Sequence, residues 1–334
     1  MAVAALLLSA CIAGLMKVYA RRAKLLDVPN ERSSHQVVTA RGGGLSIAVV
    51  FLGAIIWLYV FDNFPTDAFY SLLVGGVLVA GIGFVDDHRH VSAKWRILVH
   101  LFAAVFAIVI LGGFPEIQFG SKFVDMGIVG DAMAILFTIW FINLYNFMDG
   151  IDGIAAVEAL SICASVLLIL FVGDGGYFAN LLVVLGAATL GFLIWNWPPA
   201  KIFMGDVGSG FVGFILAAIA IISSIHGNLP IWCWLILAGV FVVDSTVTLF
   251  TRVMKGEKWY SAHNTHAYQK ASRRLGSHRA VTLSVLVINV GWLMPIAWLA
   301  SVHKESGWWL TAGAWLPLVL ISLHYRAGRP DPAN

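Results

Sequence analysis

Hydrophobic positions in this chain gather into long blocks, with the polar positions between them. Eleven apolar blocks can be drawn, at approximately 2–20, 44–61, 68–85, 95–112, 131–148, 154–172, 177–195, 209–226, 231–251, 280–299 and 307–324. Each has the length of roughly 17–23 residues that a helix needs to cross a bilayer core. Several contain glycine, which membrane helices tolerate. Connections such as 61–67 and 227–230 are too short to hold a domain, and no internal repeat or low-complexity linker interrupts the series. The pattern predicts an all-α, polytopic integral membrane protein, one domain over residues 1–334. Within the connection 114–131, Ile117-Gln118-Phe119 and Phe123-Val124 are spaced to pair as a small hairpin.

Composition supports that class. The 334 residues are 60% hydrophobic and 12% charged, whereas a soluble domain carries about 25% charge. Of the 21 Lys and Arg residues, only Lys122 and Lys304 fall in outward loops if the amino terminus lies outside; the other 19 (21 − 2) lie in inward loops or at their margins. This positive-inside bias predicts an amino terminus outside and a carboxyl terminus inside, beside Arg326 and Arg329. The basic residues sit in short separate loops, which gives nucleic-acid binding little support. Cys11, Cys163 and Cys233 lie in apolar runs with no metal or disulfide spacing, and read as small buried hydrophobes. Leu8-Ser9-Ala10-Cys11 looks like a lipoprotein cleavage box, but the positive charge follows it, at Lys17, Arg21, Arg22 and Lys24. A secretory signal needs that charge first, so the first block reads as a retained helix.

Carboxylates are costly in so apolar a chain and are the first candidates for function. Asp86, Asp87, Asp149, Asp152 and Asp206 all fall at inward ends of blocks. Asp86-Asp87 repel one another and favour a bound cation. Asn143 to Gly153, reading NLYNFMDGIDG, carries Asn143, Asn146, Asp149 and Asp152 at three-residue spacing. On a straight helix each such step drifts about 60°, so Gly150 and Gly153 point to a break around which the four converge. Phe203 to Ser209, reading FMGDVGS, offers Asp206 as a helix cap or a magnesium ligand. Arg41 with Gly42, Gly43 and Gly44 is a loop whose amides can approach an anion. His263 and His266, spaced as in a zinc site but without a companion glutamate, read better with Arg273 and Arg274 as phosphate ligands. Carboxylates mixed with His, Lys and Arg suggest a metal–diphosphate substrate, and the many helices suggest a lipidic second substrate.

Asp86-Asp87 with Lys94, NLYNFMDGIDG, FMGDVGS and HNTH together resemble the polyprenyl-phosphate N-acetylhexosamine-1-phosphate transferases. The resemblance runs from about Asp27 to Gln269, and the catalytic core would span about 27–279. DVPNERSSH and HAYQ look most like the O-antigen-initiating branch, the WbpL-type transferases. One departure is Val38-Thr39-Ala40, where relatives often have flanking prolines. The resemblance implies transfer of a sugar-1-phosphate from a UDP-N-acetyl-sugar to undecaprenyl phosphate, releasing UMP. It implies magnesium, with manganese as a substitute, a bacterial inner-membrane location with the active site on the cytoplasmic face, and a homodimer. By motif, Asp206 and Asn146 hold the metal. Phe203 stacks on uracil, and Asp152 contacts the nucleoside. Asp86 or Asp87 binds or deprotonates the lipid phosphate. Lys94, His263, His266 and the Arg41–Gly43 loop neutralise phosphates, and Asp149 joins the polar network near the diphosphate.

Two rivals give different expectations. A secondary transporter would use acids near the midplane, for which Asp244 and Glu158 are the candidates. A CDP-alcohol phosphotransferase would need an Arg at fixed spacing after Asp149-Gly150, which the chain lacks.

Overall fold

A computed structural model describes residues 1–29, 34–35, 37–170, 176–257 and 263–330. Residues 30–33 and 36 of the first inward loop, the end of the sixth block with Asp174, the start of the basic loop before His263, and the last four residues lie outside them.

Every apolar block folds as helix. In chain order the elements are α1 (Ala2–Arg22), β1 (Leu26–Asp27), β2 (Thr39–Ala40), α2 (Leu45–Phe61), α3 (Thr66–His88), α4 (Ala93–Ile110), β3 (Ile117–Phe119), β4 (Lys122–Val124), α5 (Gly127–Met148), α6 (Ile154–Leu170) and α7 (Gly176–Asn196). There follow α8 (Asp206–Ile225), α9 (Ile231–Leu237), α10 (Gly239–Met254), α11 (Ala267–Leu275), α12 (His278–Ile288), a π-helical turn (Asn289–Leu293), α13 (Met294–Val302), a 3-10 turn (Lys304–Ser306) and α14 (Gly307–His324). Among the described residues, eight helical segments are long and apolar enough to cross a membrane, or nine with α9 and α10 taken together. Helices α2 and α6 are shorter and equally apolar. The protein is an all-α polytopic membrane protein.

The bundle is built around α8. From Val207 to Ser223 every residue is buried, as expected of a helix that is apolar all round. Helices α3 and α5 lie along it, and small residues permit the contact. A side chain at Gly44 would collide with the backbone of Gly208, and one at Gly83 with that of Asp206. The start of α2 and the end of α3 are thereby brought against the amino terminus of α8. Helix α1 is mostly exposed; its buried positions Ala5, Ser9, Ala13 and Ala20 form a stripe of small residues on the helix that packs against α7.

Three local features differ from the uniform helices expected. The block 231–251 is bent by 75° between α9 and α10. Gly239 stands at the break, pressed by Leu318 and Trp315 of α14. The block 280–299 carries a π turn, where Asn289 donates to Glu158 Oε2 at 2.6 Å and Ser161 Oγ at 2.7 Å on α6. A further short helix, α11, rises from the basic loop. The hairpin forms where expected, Ile117 pairing with Val124 and Phe119 with Lys122.

Candidate active site

The amino terminus of α8 is where the polar loops meet. The stretch 202–204 runs beside the strand 39–40 and its glycines. Phe203 N–H donates to Ala40 O at 2.8 Å, Gly43 N–H to Phe203 O at 2.9 Å, and Gly44 N–H to Met204 O at 2.8 Å. Gly205 then turns with φ +76°, a conformation that suits only glycine well. The first amides of α8 have no partner within their own helix. Asp87 on α3 supplies one: its carboxylate accepts from Asp206 N at 2.9 Å and Val207 N at 3.1 Å. An anion is favoured there by the helix dipole as well.

A chain of ion pairs extends from this cap. Arg41 Nε lies 2.7 Å from Asp87 Oδ1, and Arg41 Nη2 lies 2.7 Å from Asp206 Oδ1. Arg96 Nη1 lies 2.7 Å from Asp86 Oδ2 and 3.2 Å from Asp206 Oδ2. Asn146 Nδ2 donates to Asp206 Oδ1 at 2.7 Å and to Ser209 Oγ at 3.0 Å. Three carboxylates therefore share two guanidinium groups, with Asp149 and Asp152 nearby. Burial alone would lower the Arg41 pKa, but Asp206 and Asp87 outweigh it and raise it above its ordinary value. Burial holds the Asp149 carboxyl well above the usual carboxylate range; Arg41 opposes this, while Asp206, Asp87 and Asp152 add to it.

A cleft of about 250 Å³ opens on this cluster. Of the twelve residues singled out from the sequence, Arg41, Asn146, Asp149, Asp152, Phe203 and Asp206 line it. Asp86 and Asp87 stand behind the wall. Asp87 has a side chain only 2% exposed, with both oxygens bonded. Asp86 accepts from Val91 N at 2.6 Å and from Arg96. In this structure both carboxylates are engaged by the chain itself, and neither lines the cleft.

Four further expectations need correction. Lys94 is exposed on the first turn of α4, and Arg96 reaches the carboxylates instead. Residues two apart on a helix point about 200° apart, so only one of the pair can face Asp86. Gly43 does not offer its amide to an anion, because Phe203 O takes it. His266 is buried; it stands 3.3 Å from Asp244 Oδ1 and caps α11 together with Gln269. His263 stacks on His266, with ring centroids 4.8 Å apart, and is bonded to Thr265. Neither histidine lines the cleft.

Asp244 is occupied structurally. It accepts from Ala267 N and Tyr268 N, each at 2.9 Å, and from Thr248 Oγ1 at 3.1 Å. The two acids that a proton relay would need are thus each tied to a neighbouring helix, Asp244 to α11 and Glu158 to the π turn.

Sequence reasoning missed Arg96, Asn196, Gln269 and His278. Asn196, at the end of α7, ties two loops by accepting from Gly153 N and donating to Ile202 O, both at 3.0 Å. A lone amide closing an apolar helix was its signal. Gln269, on α11, lines the cleft beside the side chain of Tyr268, which donates to Phe147 O at 2.9 Å.

The donor chemistry of the cleft fits magnesium. Asp206, Asn146 and Asp149 offer hard oxygen atoms, and the cluster has more carboxylates than cations. Magnesium takes one or two carboxylates and keeps water or substrate oxygens for the rest. Among the described residues no three His, Cys, Asp or Glu side chains are grouped to hold an ion by themselves, so the remaining ligands would come from substrate and solvent.

Residues 69–224, which include Asp86, Asn146 and Asp206, match the model of Glycosyl transferase family 4. Over 307 residues the chain is 27% identical to a probable undecaprenyl-phosphate N-acetylglucosaminyl 1-phosphate transferase of Bacillus subtilis (strain 168), covering 90% of this chain and 83% of the relative. It is 30% identical over 307 residues to the decaprenyl-phosphate N-acetylglucosaminephosphotransferase of Mycobacterium tuberculosis (strain ATCC 25618 / H37Rv), covering 81% and 75%. The protein of that name from Mycobacterium leprae (strain TN) is 28% identical over 310 residues, covering 81% and 76%. Matches of this reach make the chain a member of glycosyl transferase family 4.

Proposed function

We propose that the protein transfers N-acetylhexosamine-1-phosphate from a UDP-sugar to undecaprenyl phosphate, giving the undecaprenyl-diphospho-sugar and UMP. The observation that carries this reading is the Arg41–Asp206–Asn146 cluster, backed by Arg96, at the inward ends of apolar helices. A diphosphate needs both cationic side chains and a metal ion; a lipid phosphate needs a site at the membrane face. Both needs meet at the start of α8. The named relatives, which act on undecaprenyl or decaprenyl phosphate, support the same reaction. The basic loops around the cleft support a cytoplasmic orientation by the positive-inside rule. The step would initiate a cell-envelope polysaccharide such as an O-antigen.

The chemistry asks little of a base. A phosphate monoester with second pKa about 6 is mostly ionised near neutral pH. An acceptor oxygen forms a bond to the sugar-bearing phosphorus as that phosphorus loses its bridging oxygen to UMP. The harder task is to bring two anions together. Arg41 lines the cleft and Arg96 backs it through Asp206, and their charge would lower the repulsion. Asp206 and Asn146 would hold magnesium, which supplies charge neutralisation on the diphosphate when bound. Phe203, at the cleft wall, would stack on the base.

Purified protein is expected to release UMP from a UDP-N-acetyl-sugar only with undecaprenyl phosphate and magnesium together, and a chelator should stop the release. Release that ignores the lipid phosphate, or movement of a solute across sealed vesicles without UMP, would defeat the proposal. Arg96→Ala should lower turnover by about 100-fold, in line with the loss of one charge-stabilising donor. Lys94→Ala should change it less than about threefold, as expected for an exposed side chain. Equal losses in both variants would return the role to Lys94.

A further inference from the structure

We infer that His278, which none of the chain's sequence motifs contains, is a positioning residue for the nucleotide end of the donor. This rests on the reading that the cleft takes a UDP-sugar. Its Nδ1 lies 3.3 Å from Asp152 Oδ1, and its Nε2 lies 2.9 Å from the Ser34 carbonyl oxygen. Asp152 in turn accepts from Ala200 N at 3.0 Å through Oδ2. Its own carbonyl accepts from Thr282 Oγ1 at 2.9 Å. Three separate loops and the start of α12 are thus knotted at one carboxylate–imidazole pair.

The place of this knot gives it its consequence. A second, outer cavity of about 630 Å³ adjoins the cleft, and Asp152, His278 and Phe203 line both. None of Asp86, Asp87, Asn146 or Asp206 lines the outer cavity. His278 therefore stands where the two cavities meet, on a wall it shares with the aromatic ring assigned to the base. Its backbone position is fixed, because Ser277 caps α12 by accepting from Ala280 N at 3.2 Å. The side chain is 18% exposed, so the ring forms part of the shared wall. Nε2 faces the Ser34 carbonyl, Nδ1 faces both the Asp152 carboxylate and, at 3.4 Å, the Asp152 backbone N–H, and both Asp152 oxygens are engaged. The pair holds the shape of the wall and does not reach the reacting atoms.

A wall residue of this kind should change how tightly the donor binds and leave acceptor binding alone. The test compares His278→Ala, His278→Asn and Asp152→Asn with wild type in two measurements: UDP affinity by titration calorimetry, and KM for donor and acceptor in the UMP assay. Loss of a hydrogen bond to a charged group predicts UDP affinity weaker, and donor KM higher, by about tenfold in His278→Ala. The acceptor KM should stay within about twofold of wild type, the scatter expected where no contact is lost. Asp152→Asn should show the same split, and His278→Asn, which keeps a donor toward Asp152, should recover most of the affinity. If His278→Ala does not accumulate, His278→Gln supplies the same comparison. Unchanged UDP affinity, or a fall in kcat with both KM values unchanged, overturns the inference. Wild-type protein that binds UDP and releases UMP while His278→Ala matches it overturns the inference alone. Wild-type protein that does neither overturns the proposed function with it.

Discussion

Asp206→Ala is expected to lower UMP release by about a thousandfold or more, the scale of losing a preorganised charge-stabilising group. The reason is the number of partners that meet at one carboxylate. Oδ1 accepts from Arg41 and Asn146, and Oδ2 faces Arg96. Its removal leaves Asn146 without its acidic neighbour and frees two arginines to close on Asp86 and Asp87. The fold should survive. The Asp206 backbone amide stays bonded to Asp87, and the packing of α8 begins with Val207. The melting temperature should therefore move by less than about 4 °C, corresponding to roughly 1 kcal/mol in a chain of this size. UMP release and thermal unfolding measured on one preparation check this. Activity above about a tenth of wild type would remove Asp206 from the centre of the site, since a group of this kind supplies far more.

The fold was legible because it is dominated by one term. Burying apolar helices in a membrane requires long apolar blocks, and their limits can be read residue by residue. The bend at Gly239 was not legible, since nothing before α14 is known shows that Trp315 and Leu318 press on that position. The π turn at Asn289 was hidden for a similar reason: its partner Glu158 lies 131 positions away. In both cases the determinant is a contact between distant segments, which periodicity does not encode.

The site was legible by residue type and less so by direction. Acids at block ends announced the cluster, and Asp206, Asn146, Asp149, Asp152, Phe203 and Arg41 do share a cleft. Which cation points inward depends on helix phase. Lys94 and Arg96 differ by two positions, and only the packing of α4 against α3 decides between them. His266 and Asp244 illustrate another limit. A polar residue in an apolar chain can be retained to satisfy helix-end amides, and Asp244 does so for α11. The expense of burying it is the same in either use, so expense alone does not identify chemistry.

Asp87 is where those two uses are hardest to separate, and two substitutions separate them. Asp87→Ala should destabilise the protein by about 1–2 kcal/mol, as for loss of a helix cap. It should also cut activity by about 100-fold, because a small displacement of Asp206 and Arg41 is enough to do so. Asp87→Asn keeps an acceptor for the first amides of α8, and asparagine caps helices about as well as aspartate. It gives up the charge beside Arg41 and one of the two acceptor oxygens. It should lose less stability than the alanine variant, and it should keep several times more activity. A general base would behave otherwise. Both variants would then be equally inactive, with the asparagine protein the more stable of the two, and the acidic limb of the pH–rate profile would vanish in each. Turnover as a function of pH, set beside thermal unfolding for the two variants, decides between them. The geometry favours the cap: the Asp87 carboxylate already holds two amides and a guanidinium group, and an ionised acceptor phosphate needs no further proton removed.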